Sequence, residues 1–86
     1  MRIYILIREL RKSKNISLRE LESLTGISKG HLSKIERQSI DPSLSTLVRI
    51  ATALKVKVEE LYKIERWKDD LFRHSRTNRK NKEGVA

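Results

Sequence analysis

A single glycine, Gly26, separates two short segments in which apolar residues recur at helical spacing, and this arrangement constrains the fold more than any other feature. Counted from Leu18 as the first position, the glycine is ninth, and apolar residues stand fourth, tenth, fifteenth and eighteenth, namely Leu21, Ile27, Leu32 and Ile35. Glycine readily adopts the left-handed backbone that ends a helix. Two helices that cross at about 90–120° need such a tight turn and a shared core. The spacing therefore predicts two short helices joined at Gly26.

The ends of these helices carry their own signals. Ser17 and Glu20 have the spacing of a capping box, in which the serine hydroxyl accepts the Glu20 N–H and the glutamate side chain accepts the Ser17 N–H. Ser28 can cap the helix that follows Gly26, the third of the chain, which we place at residues 28–37. The pair Asp41-Pro42 predicts the N-cap and the first residue of the next helix.

Apolar periodicity predicts five helices in residues 1–65, and hence an all-α domain. The first helix is predicted from the stripe Ile3, Leu6, Ile7 and Leu10. Tyr4 and Ile5 fall off that stripe, so we expect the C-terminal segment or a dimer partner to cover them. In the second helix the expected inward positions are Leu18, Leu21 and Leu24 or Thr25. The fourth helix is the most apolar, with Leu44, Leu47, Val48, Ile50, Ala51 and Leu54, and a fifth runs through Leu61 and Ile64.

The amino-acid composition of the chain changes at Arg66. We therefore divide it into a domain at 1–65 and a basic extension at 66–86, which we expect to begin as helix and to be partly disordered after His74. Apolar residues spaced by three, three and four cross the boundary, namely Leu61, Ile64, Trp67 and Leu71. This stripe would pack against the first helix or form a dimer seam.

The net charge of +9 favours a polyanionic partner, either nucleic acid or anionic lipid. Both parts are basic, with thirteen Lys/Arg against eight Asp/Glu in 1–65 and seven against three in 66–86. The apolar run at 3–7 is too short to span a membrane and lacks the features of a signal peptide, so we expect no membrane partner.

Residue types that carry catalysis or bind metal are scarce. The chain has no Cys, and its two histidines, His31 and His74, are far apart without acidic partners at ligand spacing. No serine lies in a nucleophile-elbow pattern, and adjacent acidic pairs such as Glu59-Glu60 point in different directions on a helix. We therefore expect no enzyme activity, no metal site and no cofactor.

Five blocks of sequence, at 7–11, 17–21, 25–28, 32–37 and 42–47, occur together in one order and spacing. On these blocks, residues 3–64 resemble the helix-turn-helix domains of the phage-repressor family, the Cro or XRE type. The resemblance implies a cytoplasmic, sequence-specific regulator of transcription that binds double-stranded DNA. It further implies a repressor that binds a pseudo-palindromic site as a homodimer.

The resemblance also implies roles for individual residues. Helix 28–37 would enter the major groove, with base or groove contacts from Ser28, Lys29, Gly30, His31, Ser33, Lys34 and Arg37. Lys34 and Arg37 could donate to guanine O6 and N7 or could hold phosphates, and Ser28 and Lys29 are expected to contact phosphates. The N-termini of the second and fourth helices would hold phosphates through Leu18, Arg19 and Ser43.

Three residues depart from the family pattern. Leu18 stands where Gln is common, although a backbone N–H alone can make that phosphate contact. Glu22 stands where a small Ala usually lies against the third helix, so it must point outward or pair with Lys29 or Lys34. Gln38 replaces the more usual Gly or Asn and should weaken the C-cap of the third helix.

A second hypothesis assigns the chain to a different class. It would be an antitoxin or adaptor that binds a protein partner through residues 66–86, where Trp67, Leu71 and Phe72 precede a polar basic tail. Such a composition suits a segment that becomes ordered on binding.

Overall fold

The computed structural model describes residues 2–65, which form four α-helices, a 3-10 helix and a two-stranded antiparallel sheet. The elements in chain order are β1 (Arg2–Ile5), α1 (Ile7–Ser13), α2 (Leu18–Thr25), α3 (Lys29–Glu36), α4 (Leu44–Leu54), the 3-10 helix (Val58–Leu61) and β2 (Tyr62–Glu65). The boundary proposed at residue 65 and the expectations for 66–86, including the protein-partner surface, concern a segment outside the described residues.

The predicted pair of helices around Gly26 is present. The Ser17 hydroxyl accepts the Glu20 N–H at 3.0 Å, and the Glu20 carboxylate accepts the Ser17 N–H at 2.8 Å, so the capping box forms at the start of α2. Gly26 ends α2 with a φ of 77°, in the left-handed region. The Ser28 hydroxyl accepts the His31 N–H at 3.1 Å and caps α3.

One apolar core joins α1, α2, α3, α4 and the 3-10 helix. Its fully or nearly buried members are Ile7, Leu21, Ile27, Leu32, Ile35, Ile50, Ala51, Leu54 and Leu61. All four apolar positions that the glycine spacing singles out belong to it. In α2 Leu21 and Thr25 are buried and Leu18 is half-buried, whereas Leu24 is 60% exposed.

The predicted first helix is wrong over its first residues. Residues 2–5 are a strand, and the helix begins only at Ile7. Ile3, Tyr4 and Ile5 are β-branched or aromatic, the residue types that suit a pleated and partly buried surface. Ile3 also fits a helical stripe with Leu6, Ile7 and Leu10, so periodicity alone predicts a helix there.

The predicted fifth helix is also wrong, and with it the count of five. The chain makes one 3-10 turn at Val58–Leu61 and then extends as β2. β2 pairs with β1 in the register Arg2↔Glu65, Ile3↔Ile64, Tyr4↔Lys63 and Ile5↔Tyr62. Tyr4 and Ile5 are therefore covered by this later segment, which is one of the two alternatives that the sequence left open.

The ribbon formed by β1 and β2 has a polar and an apolar face. On the polar face the Tyr4 hydroxyl donates to Glu65 at 3.1 Å, and the Lys63 ammonium lies 5.4 Å from the centre of the Tyr4 ring. Arg2 donates to the Tyr4 hydroxyl at 3.3 Å, which raises the pKa of Arg2 above its ordinary value. Ile3 and Ile64 lie on the apolar face and are 48% and 42% exposed.

The start of α4 differs from the prediction by two residues. Its N-cap is Ser43, whose hydroxyl accepts the Thr46 N–H at 3.1 Å, and not Asp41. Ile50, Ala51 and Leu54 are buried as expected, whereas Leu44 and Val48 are 69% and 45% exposed. Within residues 2–65 no helix is long and apolar enough to cross a membrane.

Candidate nucleic-acid interface

One face of α3 is buried against the core and the opposite face is exposed. Leu32 and Ile35 point inward and are 1% and 0% exposed, so the helix is fixed to the core along one side. α2 packs against both α3 and α4. The outward side of α3 is left free to meet a partner.

The structure places the site residues predicted for this helix on its accessible side. Six of the seven are exposed and Ser33 is half-buried, the six being Ser28, Lys29, Gly30, His31, Lys34 and Arg37. A Cβ built on Gly30 would meet no atom within 4 Å, so the glycine is not required by the packing of this chain. Because Gly30 has no side chain, another surface could approach the backbone of α3 closely at this point.

The cations of this face are available to anions. Among the residues that the structure describes, the ion pair within 4.0 Å is Arg11–Glu36, and it includes none of Lys29, Lys34 and Arg37. Exposed cations that no acidic group of residues 2–65 pairs with can meet a phosphate or a base edge.

Arg11 and Glu36 form a buried ion pair that holds the C-terminal end of α3. Arg11 Nε donates to Glu36 Oε2 at 2.8 Å and Arg11 Nη2 to Glu36 Oε1 at 3.1 Å, in a bidentate pair. Arg11 Nη1 also donates to the Ile16 carbonyl at 2.9 Å. The two side chains are only 9% and 6% exposed, so the pair ties α1 and the loop after it to the end of α3.

Sequence reasoning missed this pair, although the sequence contains one signal of it. Arg11 lies four residues after Ile7, so both fall on the same face of α1, and both are buried. A charged residue on a buried stripe needs a partner. Nothing in the local sequence names Glu36 as that partner.

A second set of polar contacts holds the turn between α2 and α3. The Thr25 hydroxyl donates to the Leu21 carbonyl at 2.7 Å and accepts the Ile27 N–H at 3.1 Å. Arg49, on α4, donates to the Thr25 carbonyl at 2.7 Å. A cation at the C-terminus of α2 also complements the helix dipole.

The structure shows the surroundings of two of the three residues that depart from the family pattern. Glu22 is half-buried, and it forms no ion pair with Lys29 or Lys34 in the described part of the chain. Gln38 adopts a left-handed φ of 59°, so the conformation expected of a glycine or asparagine occurs without either. Its side chain accepts the Ile5 N–H at 3.0 Å and donates to the Ile3 carbonyl at 2.9 Å, a role the sequence did not suggest.

The helix starts expected to meet phosphates are at the surface. Arg19 and Ser43 are exposed and Leu18 is half-buried. At each start the capping serine accepts one N–H, that of Glu20 in α2 and that of Thr46 in α4. The N–H groups of the first two helical residues, such as Leu18 and Arg19, remain for an anion. In residues 2–65 no three His, Cys, Asp or Glu side chains are grouped as metal ligands.

Comparison with known proteins identifies the fold. The family model described as "Helix-turn-helix" matches residues 7–61. The SPbeta prophage-derived HTH-type transcriptional regulator YopS of Bacillus subtilis is 47% identical over 64 residues, which is 71% of this chain and 86% of YopS. The HTH-type transcriptional regulator SinR of Bacillus subtilis is 39% identical over 56 residues, and the match spans 64% of this chain and 50% of SinR.

A solved structure agrees. The restriction-modification controller protein C.AhdI of Aeromonas hydrophila superposes with a TM-score of 0.62 at 34% identity, covering 64% of this chain and 83% of that protein. The residues that the family model matches, 7–61, contain the two helices around Gly26. The relatives are regulators of transcription, not enzymes. The chain belongs to the Cro/XRE helix-turn-helix family of DNA-binding transcriptional regulators.

Proposed function

We propose that this chain is a sequence-specific repressor that binds a pseudo-palindromic operator as a homodimer, with residues 28–37 in the major groove. The observation that carries the proposal is that α3 has a buried inner side and an exposed outer side. Its inner side is fixed by Leu32, Ile35 and the buried Arg11–Glu36 pair, and its outer side presents cations that no acidic group of residues 2–65 neutralises. A rigid helix with a free polar face suits the major groove, which is about 12 Å wide.

The outer residues divide into two groups by their expected contacts. Lys34 and Arg37, toward the end of α3, would read base edges, together with His31 and Ser33. Ser28 and Lys29, at its start, would hold phosphates, as would the helix starts at Leu18, Arg19 and Ser43. Phosphate contacts set position and affinity, whereas base contacts set sequence preference.

Repression is the simpler regulatory outcome for such a domain. An operator-bound protein blocks polymerase by occupying the promoter, and this requires no further surface. In a purified transcription reaction, we expect the chain to lower the transcript from a promoter that carries its selected operator. An increase in transcript would contradict the repressor role while leaving DNA binding intact.

Selection of bound duplexes from a random pool tests specificity and symmetry together. We expect an enriched motif with two inverted half-sites whose centres lie about one helical turn apart. Recovery of unrelated sequences, or of a single half-site, would contradict the proposal.

Single substitutions then separate the two groups of contacts. Lys34→Ala or Arg37→Ala should relax the preference at one operator position, at a cost of about 1–3 kcal/mol in discrimination. Lys29→Ala should weaken binding to all duplexes alike and reduce the slope of log affinity against log salt by about 0.9. If Lys34→Ala, Arg37→Ala and the parent prefer the operator equally, α3 does not read the sequence.

Gly30→Ala provides a matched test of close approach. Glycine inside a helix costs about 0.5–1 kcal/mol relative to alanine, and the added methyl group meets no protein atom, so the variant should be more stable than the parent. If α3 lies against the DNA at this point, the same variant should bind the operator less tightly. Increased stability with unchanged affinity would remove Gly30 from the interface.

A further inference from the structure

The turn that ends α3 has a glutamine in the position that usually belongs to glycine. The Gln38 N–H donates to the Ile35 carbonyl at 3.0 Å, and the Ser39 N–H donates to the Lys34 carbonyl at 3.0 Å. This pair of bonds is the Schellman pattern, in which the residue after the C-cap has a left-handed backbone and is most often glycine. Gln38 has that backbone, with a φ of 59°.

The Gln38 side chain makes contacts that a glycine could not make. Its amide oxygen accepts the Ile5 N–H at 3.0 Å, and its amide nitrogen donates to the Ile3 carbonyl at 2.9 Å. Both bonds are made to the outer edge of β1, where an added strand would otherwise bond the backbone. We call these two bonds the Gln38 tether, since they join the end of α3 to the ribbon of β1 and β2. A left-handed backbone is strained in a residue that has a Cβ, so the tether is gained at the expense of strain in the turn.

The residue immediately before Gln38 is Arg37, the C-cap of α3 and the last of the side chains expected to contact DNA. Arg37 is exposed and forms no ion pair within residues 2–65. The last turn of a helix frays readily. Arg37, however, lies between two anchored neighbours, because Arg11 holds the side chain of Glu36 and β1 holds that of Gln38.

We propose that Gln38 is a positioning residue for Arg37. By bonding the outer edge of β1, it fixes the end of α3, so that the Arg37 guanidinium meets a base edge from one backbone position. A side chain that recognises a ligand must be held within about 0.5 Å of its productive place by supporting contacts. The inference rests on the proposed function, in which Arg37 reads the operator.

The energetic consequence concerns specificity more than overall affinity. Without the tether, binding must include the cost of ordering the last turn of α3. That cost arises only where Arg37 docks on its base, so affinity for the operator should fall while affinity for unrelated duplexes should not. A glutamine that only stabilised β1 would leave the preference among duplexes unchanged.

Two substitutions of Gln38 in the full chain separate the tether from the turn. Gln38→Gly removes the tether and relieves the left-handed backbone, whereas Gln38→Met removes the tether and keeps both the strain and the length of the side chain. The readout is the preference for the operator over a duplex changed at the base pair whose identity no longer matters to Arg37→Ala. Both Gln38 variants should lose about fivefold in this preference, the equivalent of one net hydrogen bond. A parent-like preference in Gln38→Gly would overturn the inference, whatever Gln38→Met does.

A double-mutant cycle tests whether Gln38 acts through Arg37. Arg37→Ala/Gln38→Gly should prefer the operator no less than Arg37→Ala alone, because no guanidinium remains to be positioned. His31→Ala, at the other end of α3, is the matched control, and its effect should add to that of Gln38→Gly. Additive losses with Arg37→Ala as well would show that Gln38 acts elsewhere, which would overturn its positioning role.

Hydrogen exchange followed by NMR tests the tether without DNA. The Ser39 amide closes the turn onto Lys34, so in Gln38→Met it should exchange about fivefold faster than in the parent. The His31 amide, which the Ser28 hydroxyl accepts at the start of α3, should not change. Unchanged exchange of the Ser39 amide would show that the tether does not hold the turn, and would overturn the inference.

The outcomes distinguish the positioning role from the function on which it rests. If Arg37→Ala relaxes one operator position and the Gln38 variants do not, the proposed function is retained and the positioning role is overturned. If the chain selects no operator, the proposed function fails and the positioning of a base contact fails with it. Faster exchange of the Ser39 amide in Gln38→Met would then identify the tether as a purely structural contact.

Discussion

The helix-turn-helix unit of α2 and α3 and the ribbon of β1 and β2 are held by opposite means. The unit is fixed from inside, by Leu21, Ile27 and other residues that are at most 8% exposed and by the buried Arg11–Glu36 pair. The ribbon is held mainly by contacts at its surface, namely strand pairing, the contacts of Tyr4 and the Gln38 side chain, while Ile5 and Tyr62 pack against the core. A surface that must present a fixed arrangement of side chains to DNA benefits from being held by a buried core.

The largest effect should come from breaking the interior pair. Arg11→Met leaves the Glu36 carboxylate buried without a partner, and we expect a loss of about 3–5 kcal/mol in the free energy of unfolding, measured with urea. Because a domain of this size has little stability to lose, the variant should be largely unfolded at 37 °C.

The double variant Arg11→Met/Glu36→Leu is the matched control. It removes both charges, so most of the lost stability should return. If Arg11→Met alone unfolds like the parent, the pair does not hold α3, and the contrast between interior and surface is mistaken.

The turn between α2 and α3 should give the next largest effect. Gly26→Ala places a side chain at a φ of 77°, and its Cβ would lie 3.1 Å from Arg49 Nη2, which donates to the Thr25 carbonyl. We expect a loss of about 1–2 kcal/mol, measured by thermal unfolding. Gly30→Ala is the control, since the same substitution inside α3 should be stabilising. Equal effects at both positions would mean that backbone conformation does not decide the outcome.

A substitution at Gln38 should separate the stability of the ribbon from that of the domain. Gln38→Gly relieves a left-handed conformation, worth about 1 kcal/mol, and loses two hydrogen bonds to β1 of about 0.5–1.5 kcal/mol each. The two lost bonds total about 1–3 kcal/mol, so after the gain of about 1 kcal/mol the free energy of unfolding should fall by at most about 2 kcal/mol.

The Ile5 amide, however, loses its acceptor in this variant. In hydrogen exchange followed by NMR, its exchange should become about tenfold faster while core amides such as that of Leu32 remain unchanged. Uniform acceleration across the domain would show that the ribbon and the core open together.

The smallest effect is expected on the polar face of the ribbon. Tyr4→Phe removes the hydroxyl that donates to Glu65 and accepts from Arg2, and all of these bonds are exposed. The urea midpoint should stay within experimental error of the parent, because exposed polar contacts contribute little. A clear loss of stability would mean that the surface contacts of the ribbon matter as much as buried ones.

The two regions also differ in how far the sequence predicts them. The signals of the helix-turn-helix lie within residues 17–35, where each cap, glycine and apolar position acts on its near neighbours. The ribbon depends on residues far apart in the chain, since Tyr4 bonds Glu65 across 61 positions. The same holds for the Arg11–Glu36 pair that supports α3, whose members are 25 positions apart. Spacing within one segment carries no information on such partners.

The helical misassignment of both strands has the same cause. Ile3, Leu6 and Ile7 fit a helical stripe, while Ile3 and Ile5 also alternate as a strand does, and only the presence of β2 decides between them. Leu44 and Val48 contribute to the apolar pattern that predicts the fourth helix, yet they lie on the outer side of α4. The exposed positions expected on α3 came from the family resemblance, and burial agrees with them, while their DNA contacts remain predictions.

The register Arg2↔Glu65 has a consequence for the order in which the protein forms. β1 is synthesised first, yet its partner strand is made last, at the far end of the domain. At about 5–20 residues per second, the ribosome needs about 3–12 s to complete the intervening chain. During this interval the Ile3-Tyr4-Ile5 stretch has no strand to join, whereas α1, α2 and α3 depend on local contacts that fold quickly. We expect the helices to assemble first on the nascent chain, with Gln38 available to hold β1 until β2 emerges.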